Sequence, residues 1–436
     1  MMSFLALLLF SLGVSLTFIV PIAGAQAAEP SLEERVRALE LKSQQGQAVP
    51  SPEDDELTRL QLQLQLPEPL GPSFSGLAPG MSRIYSSRTP LVIGGFADID
   101  YTTESRGSQS TSLARFNPYF AWRFSQGLVF NSGLSLQNGG TEEDRGSVQA
   151  EFAYLDILTG RESGIRAGHV IVPFGLLAYR SEPTLYPLVH RPTAETLIVP
   201  STWHENGVLG FAKLGRLHLQ GGLLNSTDAV EYETGSWIRG GRQSGSRAKA
   251  SDAAFALRAE WLTTSTAFGI SAYTGNSAQG NERLGRANVL MMALHAEARH
   301  DRWSAKAFFV EGALSDTDQI YTVTNQAIGA RSRGGYLIVF YDLLPRISPY
   351  ARSLIDTPVV PGWRELPIFI SYEYANPEAS PAVGRPRTPD IEDTRVTFGI
   401  NYKPHPQVVF KTDVVHEFRG SDSPQRVLEA AVAAVF

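Results

Sequence analysis

The chain has 436 residues, of which 43% are hydrophobic and only 19% charged, with 39 Gly, 15 Tyr and 22 Phe. A compact helical enzyme would carry more charge, whereas many short, half-apolar strands with glycine-rich turns fit this composition. The formal net charge of −6 gives no support to nucleic-acid binding through bulk electrostatics. The absence of cysteine excludes disulfides, thiolate metal sites and a cysteine nucleophile.

The first predicted element is an export signal over residues 1–27. Residues 4–20 form an apolar core, and Ala25-Gln26-Ala27 is the small-x-small pattern that signal peptidase cuts. Because no Lys or Arg precedes Arg35, an uncleaved anchor is the alternative. No later run approaches the ~18–20 apolar residues of a membrane helix, so any membrane span must be built from strands.

Residues 28–90 are predicted to be a periplasmic segment. An N-cap at Ser31 and a capping box completed by Glu34 predict a short amphipathic helix over 31–42. This helix is either a small coiled coil that assembles an oligomer or a weakly ordered leader. Residues 67–90 are rich in Pro, Gly and Ser and are predicted to be a linker.

From residue 91 onward the hydrophobic pattern has a period of two. Leu91, Ile93 and Ile99 alternate with Asp98 and Asp100, as expected for a strand with one face in lipid and the other in water. Similar alternation predicts strands near 112–124, 127–138, 147–158, 164–173, 206–214, 216–225, 252–262, 266–275, 287–299, 302–313, 333–344, 365–375, 391–402, 407–418 and 426–436. We therefore predict an all-β fold, a closed antiparallel transmembrane β-barrel of 16 strands over residues 91–436.

The connections between these strands alternate between tight turns and long polar loops. Such alternation is typical of an outer-membrane barrel, with short turns at one rim and long loops at the other. Residues 345–364 break the rule, because a long connection stands where a short turn is expected, and the strand count could be off by two. The last strand ends at Phe436 and is predicted to close onto the first.

Parity along each strand assigns the side chains of the pore wall. The basic residues predicted to face inward are Arg123, Arg166, Lys213, Arg258, Arg299, Lys306, Arg395 and Lys411. The acidic ones are Asp98, Asp100, Glu151, Glu260, Glu297, Glu373 and Asp413. A polar interior behind an apolar exterior predicts a water-filled channel of mixed charge.

The loop over residues 174–205 is too apolar to lie free in water. In a barrel the available surface is the inner wall, so we expect the loop to fold inward and narrow the pore. The residues predicted to form the constriction and to contact solutes are Arg180, Glu182, His190, Arg191 and Glu195. A lid or a subunit contact is the alternative role of this loop.

The runs VPFGLLAYRSEPTLYPLVHRP, ETLIVPSTWHENGVLGF and GINYKPHPQVVFKTDV, with the terminal Phe436, resemble bacterial outer-membrane porins of the phosphate-selective type. The resemblance covers most of residues 91–436. It implies a sixteen-stranded homotrimer in the cell outer membrane, assembled by barrel-assembly machinery that reads the C-terminal strand. It also implies inward basic residues that guide anions, but the predicted lumen holds nearly as many acids as bases.

We therefore predict a porin for passive diffusion of small hydrophilic solutes, with an anion or phosphate preference as the finer expectation. It would contact outer-membrane lipid and lipopolysaccharide, and it would need no cofactor, metal or catalytic residue. One alternative is a sugar-selective channel in which Trp203, Tyr179 and Tyr186 form a stacking track. Another is a non-conducting barrel, either an adhesin or a lipid hydrolase that uses His295 or His416.

Overall fold

The structure, a computed structural model, describes residues 74–87, 89–105, 107–140, 146–344, 365–420 and 423–436. Its strands are β1 (Leu91–Glu104), β2 (Gln109–Ser125), β3 (Leu128–Gln137), β4 (Ser147–Gly160), β5 (Ser163–Ile171), β6 (His204–Leu214), β7 (Leu217–Asn225), β8 (Ala253–Leu262), β9 (Thr266–Asn276), β10 (Asn288–His300), β11 (Trp303–Leu314), β12 (Arg331–Asp342), β13 (Pro367–Ser380), β14 (Asp393–His405), β15 (Val408–Arg419) and β16 (Gln425–Val435). The α-helices are α1 (Pro79–Ser86) and α2 (Thr317–Thr324). Neither described helix is long and apolar enough to cross a membrane.

The sixteen strands form one closed barrel, because each pairs with its neighbours in the chain and β16 pairs antiparallel with β1. Phe96 lies opposite Val435 in this last seam. Beyond it, Gly95 and Phe436 exchange two backbone hydrogen bonds of 2.9 and 2.8 Å. Closure leaves no unpaired sheet edge, which a β-structure in lipid requires. The predicted sixteen-strand barrel is confirmed, including its closure by the C-terminal strand.

The outer surface of the barrel is apolar. On β8 the outward Leu257 and Trp261 are 42% and 48% exposed, whereas the alternate residues Arg258 and Glu260 are 2% and 1% exposed. The other strands add exposed apolar side chains that include Ile93, Ile99, Phe124, Leu214, Leu223, Phe268, Leu290, Ile370 and Val432. An exposed apolar surface on every side of a barrel is the surface that faces lipid.

The two rims of the barrel differ in the length of their connections. Two-residue turns such as 126–127, 161–162 and 215–216 lie at the rim where β1 begins and β16 ends. The long loops, of which 172–203 is one, lie at the opposite rim. Short turns mark the periplasmic rim of such barrels, so the long loops are extracellular. Residues 345–364, the one long connection expected at the periplasmic rim, lie outside the described residues.

Residues 74–87, called the lumen segment below, lie inside the barrel. They fall within the stretch predicted to be a linker, where α1 forms and Leu77, Met81 and Ile84 are about 1% exposed or less. Pro79 opens the helix at a position where a missing N–H costs nothing. The predicted signal peptide and the helix over 31–42 lie outside the described residues.

Candidate functional site

The wall of the lumen carries mixed charge. All eight basic residues assigned to it by parity lie on the face opposite the lipid-facing side chains, at strand positions that alternate with outward residues such as Phe124, Ile165 and Phe410. Carboxylates share this face, among them Asp98, Asp156, Glu260, Glu297, Glu373 and Asp413. Most of these charged groups are buried, so they contact one another and the packed side chains of the interior.

The lumen segment is fixed at both ends of α1. At the N-terminal end the backbone N–H of Gly80 donates to Glu182 Oε1 at 2.9 Å. At the C-terminal end the Arg123 guanidinium donates to the carbonyls of Ile84 and Ser87, the latter at 2.9 Å. A carboxyl oxygen at the start of a helix and a cation at its end satisfy unpaired backbone groups, and the cation also matches the helix dipole.

A buried ion pair on the wall supports the last turn of α1. Arg166 donates two hydrogen bonds of 2.9 Å to Asp156, and its guanidinium lies 4.1 Å from the centre of the Tyr154 ring. The Tyr85 hydroxyl of α1 donates to the same carboxylate at 2.6 Å. Arg166 therefore acts here as a structural support and is closed off from water.

The β5–β6 connection, residues 172–203, is called the inward loop because it crosses the lumen. On one side Arg180 forms ion pairs with Glu260 of β8 at 2.9 Å and Glu297 of β10 at 3.1 Å. Nearby, Glu195 accepts a hydrogen bond from the Tyr336 hydroxyl of β12 at 2.7 Å. These contacts anchor the loop to the wall formed by β8 to β12.

The opposite side of the inward loop is anchored to β13, β14 and β15. Lys411 Nζ donates to the Leu188 carbonyl at 2.7 Å, and the Val189 N–H donates to Asp413 Oδ2 at 2.9 Å. The Thr193 N–H donates to Glu373 Oε2 at 2.8 Å. With anchors on both sides, the loop is held in place across the lumen.

Three of the five residues predicted to form the constriction are buried within the loop and its contacts with the wall. Arg180, Glu182 and Glu195 are 6%, 1% and 1% exposed and make the anchoring contacts described above. Burial raises the pKa of the Glu182 carboxyl to about 8. Parity and loop polarity gave no sign of these partners, because each lies on a distant strand or on α1.

The other two predicted residues, His190 and Arg191, retain access to solvent. The His190 ring is 46% exposed and lies 3.8 Å from Asp100 and 3.5 Å from Glu429. The partial removal of the ring from water lowers the pKa of His190. Arg191 is partly buried and donates to Thr202 Oγ1 at 3.1 Å.

An inner vestibule lies on the periplasmic side of the inward loop. It contains a cavity of about 130 Å³ lined by residues 184–187 of the loop and by the wall from β10 to β14. Its charged lining consists of four basic residues, Arg299, Arg302, Lys306 and Lys403, and three carboxylates, Asp301, Asp342 and Glu365. Lys306 pairs with Glu297 at 2.7 Å, whereas the Arg299 side chain has no ion pair among the residues that the structure describes.

The three aromatic residues of the predicted sugar track are almost fully buried, and of the three only Tyr186 lines the inner cavity. Trp203, Tyr179 and Tyr186 are 2%, 1% and 3% exposed. The Tyr186 hydroxyl accepts a hydrogen bond from Arg115 at 2.7 Å, and Lys411 lies 4.1 Å from its ring centre. These rings pack the interior of the loop. They do not form the exposed stacking track on which the sugar-selective alternative depends.

The two histidines of the hydrolase alternative have other roles. His295 Nε2 lies 3.0 Å from Glu260 and 3.5 Å from Arg258 inside the buried network that holds Arg180. His416 is on the outward face of β15, where its ring contacts Phe398 at 6.4 Å between centres. Neither contact includes a serine hydroxyl.

The sequence prediction missed the lumen segment as a part of the site. Its signal was a helical spacing of Leu77, Met81 and Ile84 behind Pro79, within a stretch whose Pro, Gly and Ser content indicated a linker. A short helix of this kind persists only when its apolar side meets a partner, and the partner here is the barrel wall.

Comparison with known proteins shows that the chain is similar to others in its fold. No protein-family model matches the chain. A protein of Aquifex aeolicus (strain VF5), described only as uncharacterized, is 28% identical over 395 residues and is aligned over 87% of each chain.

Three solved structures share the barrel architecture. A loop-deletion variant of OmpT, an outer membrane protein of Vibrio cholerae, has a TM-score of 0.51 at 10% identity and is covered over 99% of its length by 79% of this chain. An anion-selective porin from Comamonas acidovorans has a TM-score of 0.50 at 8% identity, with 79% and 99% coverage. The channel DcaP of Acinetobacter baumannii has a TM-score of 0.50 at 10% identity, with 79% and 97% coverage. With its apolar outer surface, the chain has the fold of an outer-membrane β-barrel.

Proposed function

We propose that the chain is a porin that lets small hydrophilic solutes diffuse passively across the outer membrane. The observation that carries this proposal is the polar cavity on the periplasmic side of the inward loop, together with the half-exposed His190 on the loop, inside a barrel whose outer surface is apolar. A lumen lined by charged groups lowers the cost of moving a hydrated solute through the bilayer. The protein performs no chemistry in this proposal.

Two segments inside the lumen, the inward loop and the lumen segment, set the width of the path that a solute can take. Both are held by several buried contacts, which favours a narrow path and small solutes. Transport through the gap depends on its width and on the local field, as in other selective pores.

The finer part of the proposal is a preference for anions, of which phosphate is one. The inner vestibule places Arg299 and Lys403 in one cavity, and Lys403 reaches its carboxylate Glu365 only at 3.9 Å. Arg299 adds a guanidinium without an ion pair among the described residues. Guanidinium groups bind phosphate and carboxylate with two parallel hydrogen bonds.

The resemblance to phosphate-selective porins adds a homotrimer and recognition by barrel-assembly machinery to the proposal. Phe436 is 42% exposed at the end of β16, where such machinery would contact it. Native mass spectrometry of the protein extracted from membranes would count the protomers.

Reversal potentials across a salt gradient test the charge preference. We expect the wild-type channel to favour chloride over potassium, and the double variant Arg299→Gln/Lys403→Gln to shift the reversal potential towards potassium. The variant Arg161→Gln/Arg216→Gln, which removes the same charge from exposed periplasmic turns, is the matched control and should leave it unchanged. A potassium preference in the wild type would overturn the anion preference, and block by added phosphate but not by sulfate would identify phosphate as a preferred solute.

A further inference from the structure

The outer face of the barrel carries a cluster of charge next to its apolar belt. Arg331 and Arg333 both lie on β12, and both reach the same atom, Glu311 Oε1 of β11, at 3.6 and 3.1 Å. Their side chains are 62% and 39% exposed. One carboxylate between two guanidinium groups leaves the cluster with a net positive charge.

The pairing of β11 with β12 places the cluster on the lipid side of the wall. Glu311 lies opposite Arg333 in an unbroken register that also sets Ala307 opposite Leu337, and Leu337 is 49% exposed on the outer surface. Residues of the same parity share one face of a strand. Arg331 and Arg333 therefore point out of the barrel, away from the lumen.

The cluster sits at the extracellular edge of the apolar belt. At the other end of β12 Tyr341 lies opposite Trp303, with ring centres 4.8 Å apart, at the periplasmic edge. The strand between Arg333 and Tyr341 crosses roughly 20 Å of bilayer, close to the height of the apolar band of such barrels. Between these two edges the outward side chains are apolar or aromatic, among them Leu337 and its β13 neighbour Tyr372, which are 49% and 51% exposed.

We propose that Arg331 and Arg333 form a binding site for a phosphate group of an outer-leaflet glycolipid. Two guanidinium groups that converge on one oxygen are spaced to hold a phosphate by paired charge-assisted hydrogen bonds. The exposed ion pairs with Glu311 are weak, and a doubly charged phosphate can compete for both arginines. The acyl chains of the same lipid lie against the apolar face below. This inference concerns the outer surface and is independent of transport through the lumen.

Lipid retention measured by native mass spectrometry in detergent tests the site, with bisphosphorylated lipid A as the probe. We expect Arg331→Gln/Arg333→Gln to lower retention at least about tenfold, because both charge-assisted contacts to the phosphate are lost. The matched control is Arg161→Gln/Arg216→Gln, which removes the same charge at the opposite rim and should leave retention unchanged.

Two further arms separate phosphate binding from a structural role and from free phosphate. Glu311→Gln frees both arginines and should raise retention, whereas a purely structural cluster would lose it. The wild type should retain lipid A without phosphates as weakly as the double variant retains bisphosphorylated lipid A. Inorganic phosphate should not displace bound lipid A from the wild type, because it lacks the acyl chains. Equal retention by the double variant and the wild type, or a loss of retention in Glu311→Gln, would overturn the proposal, as would full displacement of the lipid by inorganic phosphate.

Discussion

The carboxylate of Glu182 accepts a hydrogen bond from the backbone N–H of Gly80 at 2.9 Å, and this contact joins the inward loop to the lumen segment. The fit around Gly80 is close. A Cβ added there would lie 2.6 Å from Glu182 Oε1 and 3.3 Å from the Tyr119 ring. The inward loop and the lumen segment are therefore packed against each other, and a change in the position of one displaces the other.

Gly80→Val should weaken the packing of the lumen segment against the inward loop. The added side chain must push Glu182 or Tyr119 aside, and overpacking of this kind costs about 1–3 kcal/mol. We expect larger or more frequent open steps in single-channel recordings. Gly210→Val is the matched control, because a Cβ at residue 210 has only the Gly221 carbonyl oxygen near it, at 3.9 Å. Equal conductance of Gly80→Val and the wild type would show that the lumen segment does not restrict the path.

The Glu182 carboxyl should make the channel sensitive to pH. Burial raises its pKa to about 8 while the lumen segment is seated, against an ordinary value of 4.5 in water. Between pH 4.5 and pH 8 Glu182 is protonated while the lumen segment is packed against it and ionised when the segment has detached. Detachment of the segment therefore becomes easier as the pH rises through this range. We expect the open fraction to grow from about pH 5 to about pH 9.

Glu182→Gln tests that pH dependence, because the amide keeps the shape of the carboxyl but does not titrate. Its open fraction should stay level across the same pH range. Glu417→Gln removes a carboxyl that pairs with Arg395 at 3.0 Å away from the lumen segment, and it should keep the pH dependence of the wild type. A Glu182→Gln channel that still responds to pH would assign the response to another group.

Arg180 should stabilise the barrel as well as the position of the inward loop. Arg180→Met removes two buried ion pairs, but Glu260 keeps Arg258 and Glu297 keeps Lys306. We expect a loss of about 1–3 kcal/mol in the free energy of unfolding. Tryptophan fluorescence during urea unfolding of the protein in lipid vesicles measures it.

Lys213→Met is the control for the Arg180 variant, since it breaks a single ion pair of 2.7 Å with Glu162 near the periplasmic rim. A pair with this much solvent contact contributes about 0–1 kcal/mol. If both variants lost the same stability, the buried network around Glu260 would be no stronger than a surface pair.

The strands could be predicted from the sequence because their signal is local. Leu257 and Trp261 face lipid while Arg258 and Glu260 face inward, and this alternation is visible in adjacent letters. The inward position of the loop followed in the same way from its apolar residues. In each case the side chain itself, and not a distant partner, determines the outcome.

The burial of the loop charges could not be predicted, because it depends on partners far away in the chain. Gly80 and Glu182 are 102 residues apart, and Arg180 and Glu260 are 80 residues apart. A lone Arg or Glu in a loop has the same local pattern whether it faces water or a buried partner. The register of the barrel decides between them, and a period-two pattern does not contain that register.

The most direct test of the central claim is the conductance of the purified full-length protein in a planar lipid bilayer. We predict discrete ion-permeable steps for the wild type, and larger steps for a variant that lacks residues 74–87 but keeps the strands. The absence of steps from both proteins, each shown by heat-modified electrophoretic mobility to be folded, would contradict a porin function. Equal steps from both would leave the porin function standing and contradict the role of the lumen segment.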